Sequence, residues 1–283
     1  MSLPGAVVST DWLAARAGEV VVADVRWYLD GRSGRAAYES GHIPGAVFVD
    51  LDTDLSRRGD RREGRHPLLS PEHFAAAMGA LGIGDDTTVV AYDDASGGVA
   101  GRLVFMLRAV GTPAALLDGG LKAFTGPLEA GPGTPTVPVA RSVRPWPDER
   151  LATVAEVEAV GEGRAPADLR LLDARAAERY EGKVETVDPR AGHIPGARNL
   201  PVGAVLDPAT GHFADPDTLR ERFAAVGVTA GDQVVASCGS GVSACILLTA
   251  LEHAGLGQGR LFVPSFSGWS SDPGRRVATG SEP

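Results

Sequence analysis

The sequence predicts an α/β protein made of two similar domains, each with a parallel β-sheet flanked by helices. The chain has 283 residues, enough for two domains of roughly 150 residues each. One motif occurs twice, as GHIPGAVFVDL from Gly41 and as GHIPGARNLPV from Gly192. In both halves, short apolar runs alternate with helix-like stretches, which is typical of a parallel sheet covered on both faces.

The elements of the two halves follow in the same order. Each half starts with an apolar run and the GHIPGA segment, followed by a helix-like stretch that Ser70 or Asp215 is suited to cap. A second apolar run then leads into another helix. The apolar runs are 20–25 and 88–92 in the first half and 169–172 and 233–237 in the second. This matching order predicts the same fold twice.

A proline-rich stretch separates the halves. Six prolines lie between Gly126 and Arg150, and proline fixes φ and removes a hydrogen-bond donor, so this stretch should be extended and lie on the surface. We therefore predict an N-terminal domain at 1–126, a linker at 127–150 and a C-terminal domain at 151–283.

Composition excludes several classes of protein. A formal net charge of −9 argues against a broadly basic protein that coats nucleic acid. The two cysteines, Cys238 and Cys245, are too few for a disulfide-stapled fold or a cysteine-rich zinc module. No apolar run approaches the roughly 18 residues of a membrane span, and the start MSLPGAVVST does not resemble a signal peptide. We expect a cytoplasmic protein with no nucleic-acid or membrane partner, no metal and no organic cofactor.

Cys238 is the candidate nucleophile. It follows an apolar strand and precedes the helix-like stretch SACILLTALEHAG. A glycine-rich loop at this junction can turn its N–H groups inward as an anion-binding nest, and the helix N-terminus adds partial positive charge. The site should favour a thiolate and stabilise a persulfide attached to it. The loop residues predicted to bind substrate or assist catalysis are Gly239, Ser240, Gly241, Val242 and Ser243.

Two other interpretations of the cysteines are less consistent with the sequence. A cysteine phosphatase needs an arginine six positions after the cysteine to bind phosphate through two hydrogen bonds, and this chain has Ala244 there. The loop also has no lysine or arginine. Cys245 lies among apolar helix residues and is interpreted as core, and its separation from Cys238 is unlike that of zinc ligands.

The chain resembles the tandem-domain rhodanese family, the thiosulfate and 3-mercaptopyruvate sulfurtransferases. The resemblance rests on the paired GHIPGA segments and on DVRWYLDG, GRHPLL, LLDGGLKAF, DARAAERYEG and CGSGVSA, in this order over essentially the whole chain. It implies that each half is a rhodanese domain and that only the C-terminal half is catalytic. Asp93 falls where Cys238 falls in the second half, which fits that pattern.

The resemblance also bears on the sulfur donor. Members that prefer thiosulfate usually carry Arg and Lys directly after the cysteine, and members that prefer 3-mercaptopyruvate carry Gly-Ser-Gly-Val-Thr. This chain differs from the second pattern only in having Ser243 for threonine, which favours 3-mercaptopyruvate. Two alternatives remain open: a thiosulfate:cyanide sulfurtransferase with the same nucleophile, and a module that binds a partner or carries sulfur without turnover. The implied acceptors are cyanide, a thiol or a thioredoxin-like protein.

Several further site residues follow from the resemblance. Arg179 matches the family's substrate arginine and should bind the donor carboxylate through two parallel hydrogen bonds. Ser240 should hydrogen-bond the enolate that leaves from the donor. Arg190 is a candidate for a second carboxylate clamp, although its spacing from Arg179 differs from that in the mercaptopyruvate enzymes.

Two more candidates come from the first half of the sequence. His42 and His193 occupy equivalent places in the two GHIPGA segments. Because the same histidine is present in the first half, which lacks the nucleophilic cysteine, a structural role is favoured for both. The arginine-rich segment 57–67 is interpreted as a solvated loop, with Arg65 as the exception that deserves a test.

One segment departs from the family pattern. The family usually has Gly-Ser-Trp-Ser-Glu-Trp near the end, and this chain has Pro-Ser-Phe-Ser-Gly-Trp at 264–269. We expect this change to alter a turn beside the active-site loop, and with it the pocket wall rather than the fold.

Overall fold

The computed structural model describes residues 3–283, which divide into two compact units. Unit 1 comprises the described residues up to Arg57, together with Leu68–Trp146 and Pro208–Phe213. Unit 2 comprises Arg58–Pro67, Pro147–Asp207 and Ala214–Pro283. Segment 58–67 thus belongs to unit 2, and segment 208–213 belongs to unit 1. The contiguous boundaries predicted from the sequence do not include this exchange.

Unit 1 contains a five-stranded sheet in which all paired strands are parallel, in the order β1-β5-β4-β2-β3. Its strands are β1 Val7–Val8, β2 Val21–Asp24, β3 Val47–Phe48, β4 Val89–Tyr92 and β5 Ala114–Leu117. Its helices are α1 Thr10–Ala14, α2 Gly34–Ser40, α3 Leu51–Asp54, α4 Pro71–Ala80, α5 Ala100–Ala109 and α6 Gly120–Ala123.

Unit 2 contains a four-stranded parallel sheet in the order β7-β6-β8-β9. Its strands are β6 Arg170–Asp173, β7 Arg198–Asn199, β8 Val234–Ser237 and β9 Arg260–Leu261. Its helices are α7 Val154–Gly161, α8 Ala177–Tyr180, α9 Pro216–Ala225, α10 Ala244–His253 and α11 Ser265–Ser270. Short 3-10 helices lie at Arg61–Glu63, Asp148–Arg150, Val202–Val205 and Gly231–Gln233.

The two sheets repeat the same topology, so the predicted α/β class with one parallel sheet per half is confirmed. Strands β3, β2, β4 and β5 correspond in order to β7, β6, β8 and β9. The place of β1 is taken in unit 2 by a single parallel bridge between Leu151 and Leu261. All four residues of β4 and of β8 are buried, as expected for central strands covered on both faces.

The helix caps are those that the sequence indicates. Ser70 precedes α4, and its hydroxyl accepts the N–H of His73. Asp215 precedes α9, and its carboxylate accepts the N–H groups of Asp217 and Thr218. In both helices a proline occupies the first turn, where its missing N–H has no intrahelical partner to lose.

The proline-rich stretch is irregular, as expected. Residues 132–147 form neither helix nor strand and are mostly exposed. The stretch is anchored on unit 1 near its end: Trp146 packs against Phe74, with ring centroids 5.0 Å apart, and its indole N–H donates to the carbonyl of Leu69.

Candidate active site

Cys238 lies at the junction of β8 and the loop that leads to α10. Its side chain is 1% exposed, and its Sγ accepts the N–H of Gly241 at 3.2 Å. Gly241 has φ +75°, and a Cβ atom there would lie 2.5 Å from the carbonyl oxygen of Val263. Only glycine fits this turn without strain. Glycine at position 241 therefore allows the backbone conformation in which its N–H points at the Cys238 sulfur.

The loop continues directly into the N-terminus of α10. Val242 is buried, and Ser243 is the partly exposed N-cap residue of the helix. The helix has ten residues, so its first turn directs partial positive charge towards the loop. Cys245 is buried in this helix, and its thiol donates to the carbonyl of Gly241 at 3.5 Å.

The segment that departs from the family pattern supports the other side of the cysteine loop. The N–H groups of Phe266 and Ser267 donate to the carbonyls of Cys238 and Gly239 at 2.9 and 2.8 Å. The hydroxyl of Ser265 accepts the N–H of Cys238 at 3.1 Å. Segment 264–269 therefore lies beside the active-site loop, as the sequence predicts, and holds the loop through its backbone N–H groups and the Ser265 hydroxyl.

Two residues of this segment have further notable features. Ser265 adopts φ +50°, a conformation that is uncommon for a residue with a side chain, and it is fully buried. The ring of Phe266 lies 3.9 Å beneath the guanidinium of Arg175. Phe266 thus supplies an aromatic face at the position where the family has tryptophan.

Two arginines approach the cysteine loop at Gly239. A Cβ atom placed on Gly239 would lie 2.9 Å from Arg65 Nη2 and 3.7 Å from Arg179 Nη1. Within residues 3–283, neither of these two nitrogen atoms has a hydrogen-bond acceptor. The structure therefore brings Arg179 and Arg65 to the loop that follows Cys238, and one guanidinium edge of each faces Gly239.

Two buried carboxylates hold the other edges of these guanidinium groups. Asp188 bonds Arg65 through one oxygen and Arg179 Nη2 through the other, the latter at 2.9 Å. Glu185 accepts Arg179 Nη2 at 2.9 Å. Such charge-assisted bonds fix the orientation of a guanidinium. The acids thereby orient the arginines and neutralise part of their charge.

The two carboxyl groups differ in their electrostatic balance. Burial raises the pKa of Asp188 above its ordinary value, although Arg65 acts in the opposite direction. Burial also acts to raise the pKa of Glu185, but hydrogen bonds from the backbone N–H groups of Asp188 and Val187 and from Arg179 outweigh it and lower that pKa. Glu185 is thus the more securely ionised of the two.

A histidine that was not among the sequence candidates contacts the cysteine loop. His66 Nδ1 lies 2.8 Å from the hydroxyl oxygen of Ser240, and both side chains are buried. His66 belongs to the GRHPLL motif, 174 residues before Ser240 in the chain. The motif was noted for its resemblance, but only the fold identifies the partner of its histidine. The pair offers a hydroxyl whose proton can be exchanged through an imidazole.

A cavity of about 960 Å³ lies next to this group within unit 2. Residues of segment 58–66 and residues 185–189 line it, together with Ser267 and Ser271. Arg65 and His66 are therefore both cavity-lining residues and neighbours of the cysteine loop. The cavity gives room for ligands beside the loop.

Arg190 is not brought to this cluster. Its guanidinium donates to the backbone carbonyls of Ser270, Asp272 and Arg275 at 2.7–2.9 Å. These bonds tie the chain after α11 to the segment before the second GHIPGA motif. We therefore do not retain Arg190 as a carboxylate clamp.

Replacement of Arg190 by alanine should therefore lower stability without weakening donor binding. Loss of three charge-assisted bonds to backbone should reduce the free energy of unfolding by roughly 2–4 kcal/mol. Thermal unfolding and KM for the sulfur donor, measured on the same preparation below its melting temperature, check this. A large rise in KM with unchanged stability would return Arg190 to the binding site.

The two repeated histidines have equivalent structural contacts. His42 stacks on Tyr38 with centroids 3.8 Å apart, and its Nδ1 lies 2.9 Å from the Tyr38 carbonyl. His193 stacks on Tyr180 at 3.7 Å, and its Nδ1 lies 2.8 Å from the Tyr180 carbonyl. Burial lowers the pKa of His193. This geometry favours the structural interpretation of both histidines.

The Asp–Arg pairs at the ends of β2 and β6 are also equivalent. In unit 1, Arg26 bonds Asp24 and the carbonyl of Gly41. In unit 2, Arg175 bonds Asp173 and the carbonyl of Gly192. Each pair ties a strand end to the GHIPGA segment.

Unit 1 contains a counterpart of the cysteine loop with a carboxylate at its centre. Asp93 follows β4 and precedes α5, as Cys238 follows β8 and precedes α10. The fully buried Asp93 carboxylate accepts N–H groups at 2.7–2.8 Å. The donors are Ala95, Gly97, Val99 and Ala100. The first loop therefore holds an anion that belongs to the chain itself.

Two classes of feature were not found in the part of the chain that the structure describes. No group of three or more His, Cys, Asp or Glu side chains there is arranged to hold a metal ion. Within residues 3–283, no helix combines the length and apolar character required to cross a membrane.

The fold and the site together define a class of α/β proteins in which one of two similar domains carries a cysteine in an anion-stabilising loop. A family model described as "Rhodanese-like domain" matches residues 9–126 and 156–272. The chain belongs to this family, as its sequence motifs indicated.

Relatives and solved structures match over nearly the whole chain. A "Probable 3-mercaptopyruvate sulfurtransferase" from Pseudomonas aeruginosa is 40% identical, over 97% of this chain and 98% of its own length. A "Putative thiosulfate sulfurtransferase SseB" from Mycobacterium tuberculosis is also 40% identical, over 94% and 93%. The crystal structure of SseA from Escherichia coli, titled as a 3-mercaptopyruvate sulfotransferase, superimposes with a TM-score of 0.78 at 30% identity, covering 93% of this chain and 99% of that one.

Proposed function

We propose that the protein is a sulfurtransferase that moves sulfane sulfur from 3-mercaptopyruvate to a thiophilic acceptor through a persulfide on Cys238. The observation that carries this proposal is the convergence of two guanidinium edges, from Arg65 and Arg179, on the loop that holds the cysteine. The arrangement suits a donor that has both a sulfur atom and a carboxylate. Relatives that are named for this activity support it.

In the first half-reaction the Cys238 thiolate attacks the sulfur of 3-mercaptopyruvate. A new S–S bond forms, the C–S bond of the donor breaks, and its electron pair leaves with the carbon as the enolate of pyruvate. One proton then converts the enolate to pyruvate, so the step is balanced without an oxidant. The Gly241 N–H and the N-terminus of α10 stabilise negative charge on the sulfur.

We assign the proton transfer to the pair formed by Ser240 and His66. The Ser240 hydroxyl lies in the cysteine loop, and the imidazole 2.8 Å away can restore its proton. Arg65 and Arg179 bind the donor carboxylate through the two nitrogen atoms that face Gly239. The remaining loop residues supply backbone contacts and shape.

In the second half-reaction an acceptor nucleophile attacks the outer sulfur of the persulfide and releases the Cys238 thiolate. Cyanide serves in an assay, and a thiol or a thioredoxin-like protein is proposed in the cell. We also propose the cytoplasm as the compartment, because the reaction needs a free thiol and both cysteines of the chain are free.

Thiosulfate remains the alternative donor. A dianion requires more positive charge beside the cysteine, and loop 239–243 contains no lysine or arginine. Arg65 and Arg179 are also partly neutralised by Asp188 and Glu185. This balance favours a monoanionic carboxylate donor, although some relatives are named for thiosulfate.

The experiment that tests the proposal compares the two donors with cyanide as acceptor. We expect kcat/KM to be at least about tenfold higher for 3-mercaptopyruvate, which corresponds to about 1.4 kcal/mol of transition-state preference.

Arg179→Gln and Arg65→Gln should each raise KM for 3-mercaptopyruvate by roughly tenfold to a hundredfold, because each removes a charge-assisted bond to the carboxylate.

Each outcome separates the candidate functions. A preference for thiosulfate would overturn the donor assignment and leave the sulfurtransferase. Absence of turnover with both donors, from folded protein, would favour the binding or sulfur-carrier module, and persulfide detection on Cys238 would then distinguish a carrier from a scaffold.

A further inference from the structure

Asp188 is the shared partner of the two arginines that face the cysteine loop. One of its carboxylate oxygens accepts Nη1 of Arg65, and the other accepts Nη2 of Arg179 at 2.9 Å. The remaining terminal nitrogen of each guanidinium, Nη2 of Arg65 and Nη1 of Arg179, is the one that faces Gly239. Asp188 thus holds the far edges of both guanidinium groups whose near edges we assign to the donor.

Asp188 differs from Glu185, the second acid of the site, in what it bonds. Glu185 accepts the backbone N–H groups of Val187 and Asp188 at 2.8 and 2.9 Å, in addition to Arg179. Glu185 therefore also shapes the backbone of its own loop. Within residues 3–283, the Asp188 carboxylate bonds only the two guanidinium groups. Its negative charge is directed at the arginine pair rather than at the backbone.

Burial gives the Asp188 charge its strength. The Asp188 side chain is 1% exposed, whereas the side chains of Arg179 and Arg65 are 23% and 30% exposed. Charges inside a protein interact more strongly than charges in water, and salt screens them less. An anion that reaches the near edges of the arginines is therefore still repelled by the buried carboxylate on their far edges.

The charges of this group are balanced before a donor binds. Arg65 and Arg179 carry two positive charges, Asp188 and Glu185 carry two negative charges, and loop 239–243 adds no charged side chain. A monoanionic donor adds one negative charge to this balance, and a dianion such as thiosulfate adds two. Because Asp188 repels each donor charge, its carboxylate disfavours the dianion about twice as strongly as the monoanion.

We propose that Asp188 sets the charge of the accepted sulfur donor, favouring monoanions over dianions. This inference rests on the proposed sulfurtransferase function and assigns its donor selectivity to one buried carboxylate. The transfer step is the same for both donor charges. The Cys238 thiolate attacks the outer sulfur of the donor, the bond from that sulfur to the rest of the donor breaks, and its electron pair leaves with the released anion. Asp188 acts through Arg65 and Arg179 and is a specificity-determining residue outside the reacting atoms.

The test uses two donors that differ in charge but not in the type of bond that breaks. Thiosulfate is a dianion and methanethiosulfonate is a monoanion, and attack on the outer sulfur of either breaks an S–S bond and releases sulfite or methanesulfinate. Cyanide is the acceptor, and the uncatalysed rate is subtracted. The pH is mildly alkaline, because burial raises the pKa of Asp188 and the carboxylate must be ionised. The measured quantity is kcat/KM for thiosulfate divided by kcat/KM for methanethiosulfonate.

Asp188→Asn should raise this ratio by roughly tenfold over that of the unmodified protein, because the lost negative charge acts on one more donor charge in the dianion. The intrinsic reactivities of the two donors cancel in this comparison. Asp188→Glu keeps the charge and should leave the ratio within about twofold, even if kcat/KM falls for both donors. Arg65→Gln makes the opposite change of charge and should lower the ratio by a similar factor. The double variant Asp188→Asn/Arg65→Gln should restore it.

The matched control is Asp272→Asn, which removes a half-buried acid of the same unit that pairs with Arg62 and Arg275. It should preserve the ratio. An unchanged ratio in Asp188→Asn, or an equal rise in Asp188→Glu or Asp272→Asn, overturns the inference. If Asp188→Asn does not fold, an unchanged ratio in Arg65→Gln overturns it instead. No turnover of either donor or of 3-mercaptopyruvate by the folded, unmodified protein would overturn the proposed function itself. A working sulfurtransferase whose ratio does not respond to the charge at position 188 would overturn only the inference.

Discussion

Replacement of Cys238 by serine should abolish sulfur uptake and reduce turnover by at least roughly a thousandfold. In the proposed mechanism the Cys238 thiolate attacks the donor sulfur and holds it as a persulfide. A serine hydroxyl cannot replace it, because a hydroxyl is a weak nucleophile near neutral pH. Mass spectrometry after incubation with 3-mercaptopyruvate measures the first effect as the gain of one sulfur atom. Pyruvate release measures the second.

Cys245 provides a matched control, because the chain has a second buried free cysteine only seven positions further along. Cys245→Ala should retain the added sulfur and most of the turnover. The serine variant should also keep its melting temperature, since Gly241 can still donate its N–H to an oxygen at position 238. Sulfur uptake by Cys238→Ser, or its loss only in Cys245→Ala, would contradict the assignment of the nucleophile.

The fold was predictable because its signals are local and occur twice. Buried strands β4 and β8 appear in the sequence as continuous apolar runs, and Ser70 and Asp215 stand directly before the helices that they cap. The exchange of segments 58–67 and 208–213 was not predictable in this way. It depends on contacts between residues that are distant in sequence, and no periodic pattern records such contacts.

The candidate site was only partly predictable for the same reason. Cys238 is identified by its own neighbours, the strand before it and the glycine-rich loop after it. His66 is identified only by its contact with Ser240, 174 residues away. The family resemblance suggested Arg190 as a second clamp, although its spacing from Arg179 differs from that in the family. Its guanidinium is held by backbone carbonyls of the C-terminal chain, and Arg65 faces Gly239 instead.

The loop around Asp93 in unit 1 has inward-facing N–H groups at the place that corresponds to the cysteine loop of unit 2. Four N–H groups surround the Asp93 carboxylate at 2.7–2.8 Å, as an anion-binding nest would surround a bound anion. Burial raises the pKa of Asp93, and these N–H groups oppose that increase. The net stabilisation by the carboxylate is therefore smaller than four full charge-assisted bonds. We take roughly 3 kcal/mol as its size.

Asp93→Ala should accordingly lower the free energy of unfolding by about 3 kcal/mol and the melting temperature by roughly 6–12 °C. The substitution leaves four N–H groups around a space the size of a carboxylate, so added formate should raise the melting temperature of the variant and not that of the unmodified protein. Differential scanning calorimetry measures both effects. Asp86→Ala, which removes an exposed acid from the same unit, should unfold like the unmodified protein with or without formate. The interpretation is wrong if the melting temperature of the Asp93 variant lies within about 1 °C of that of the unmodified protein, or if formate fails to stabilise the variant. A filled anion nest must lose stability when the carboxylate is removed and regain it when an anion binds in its place.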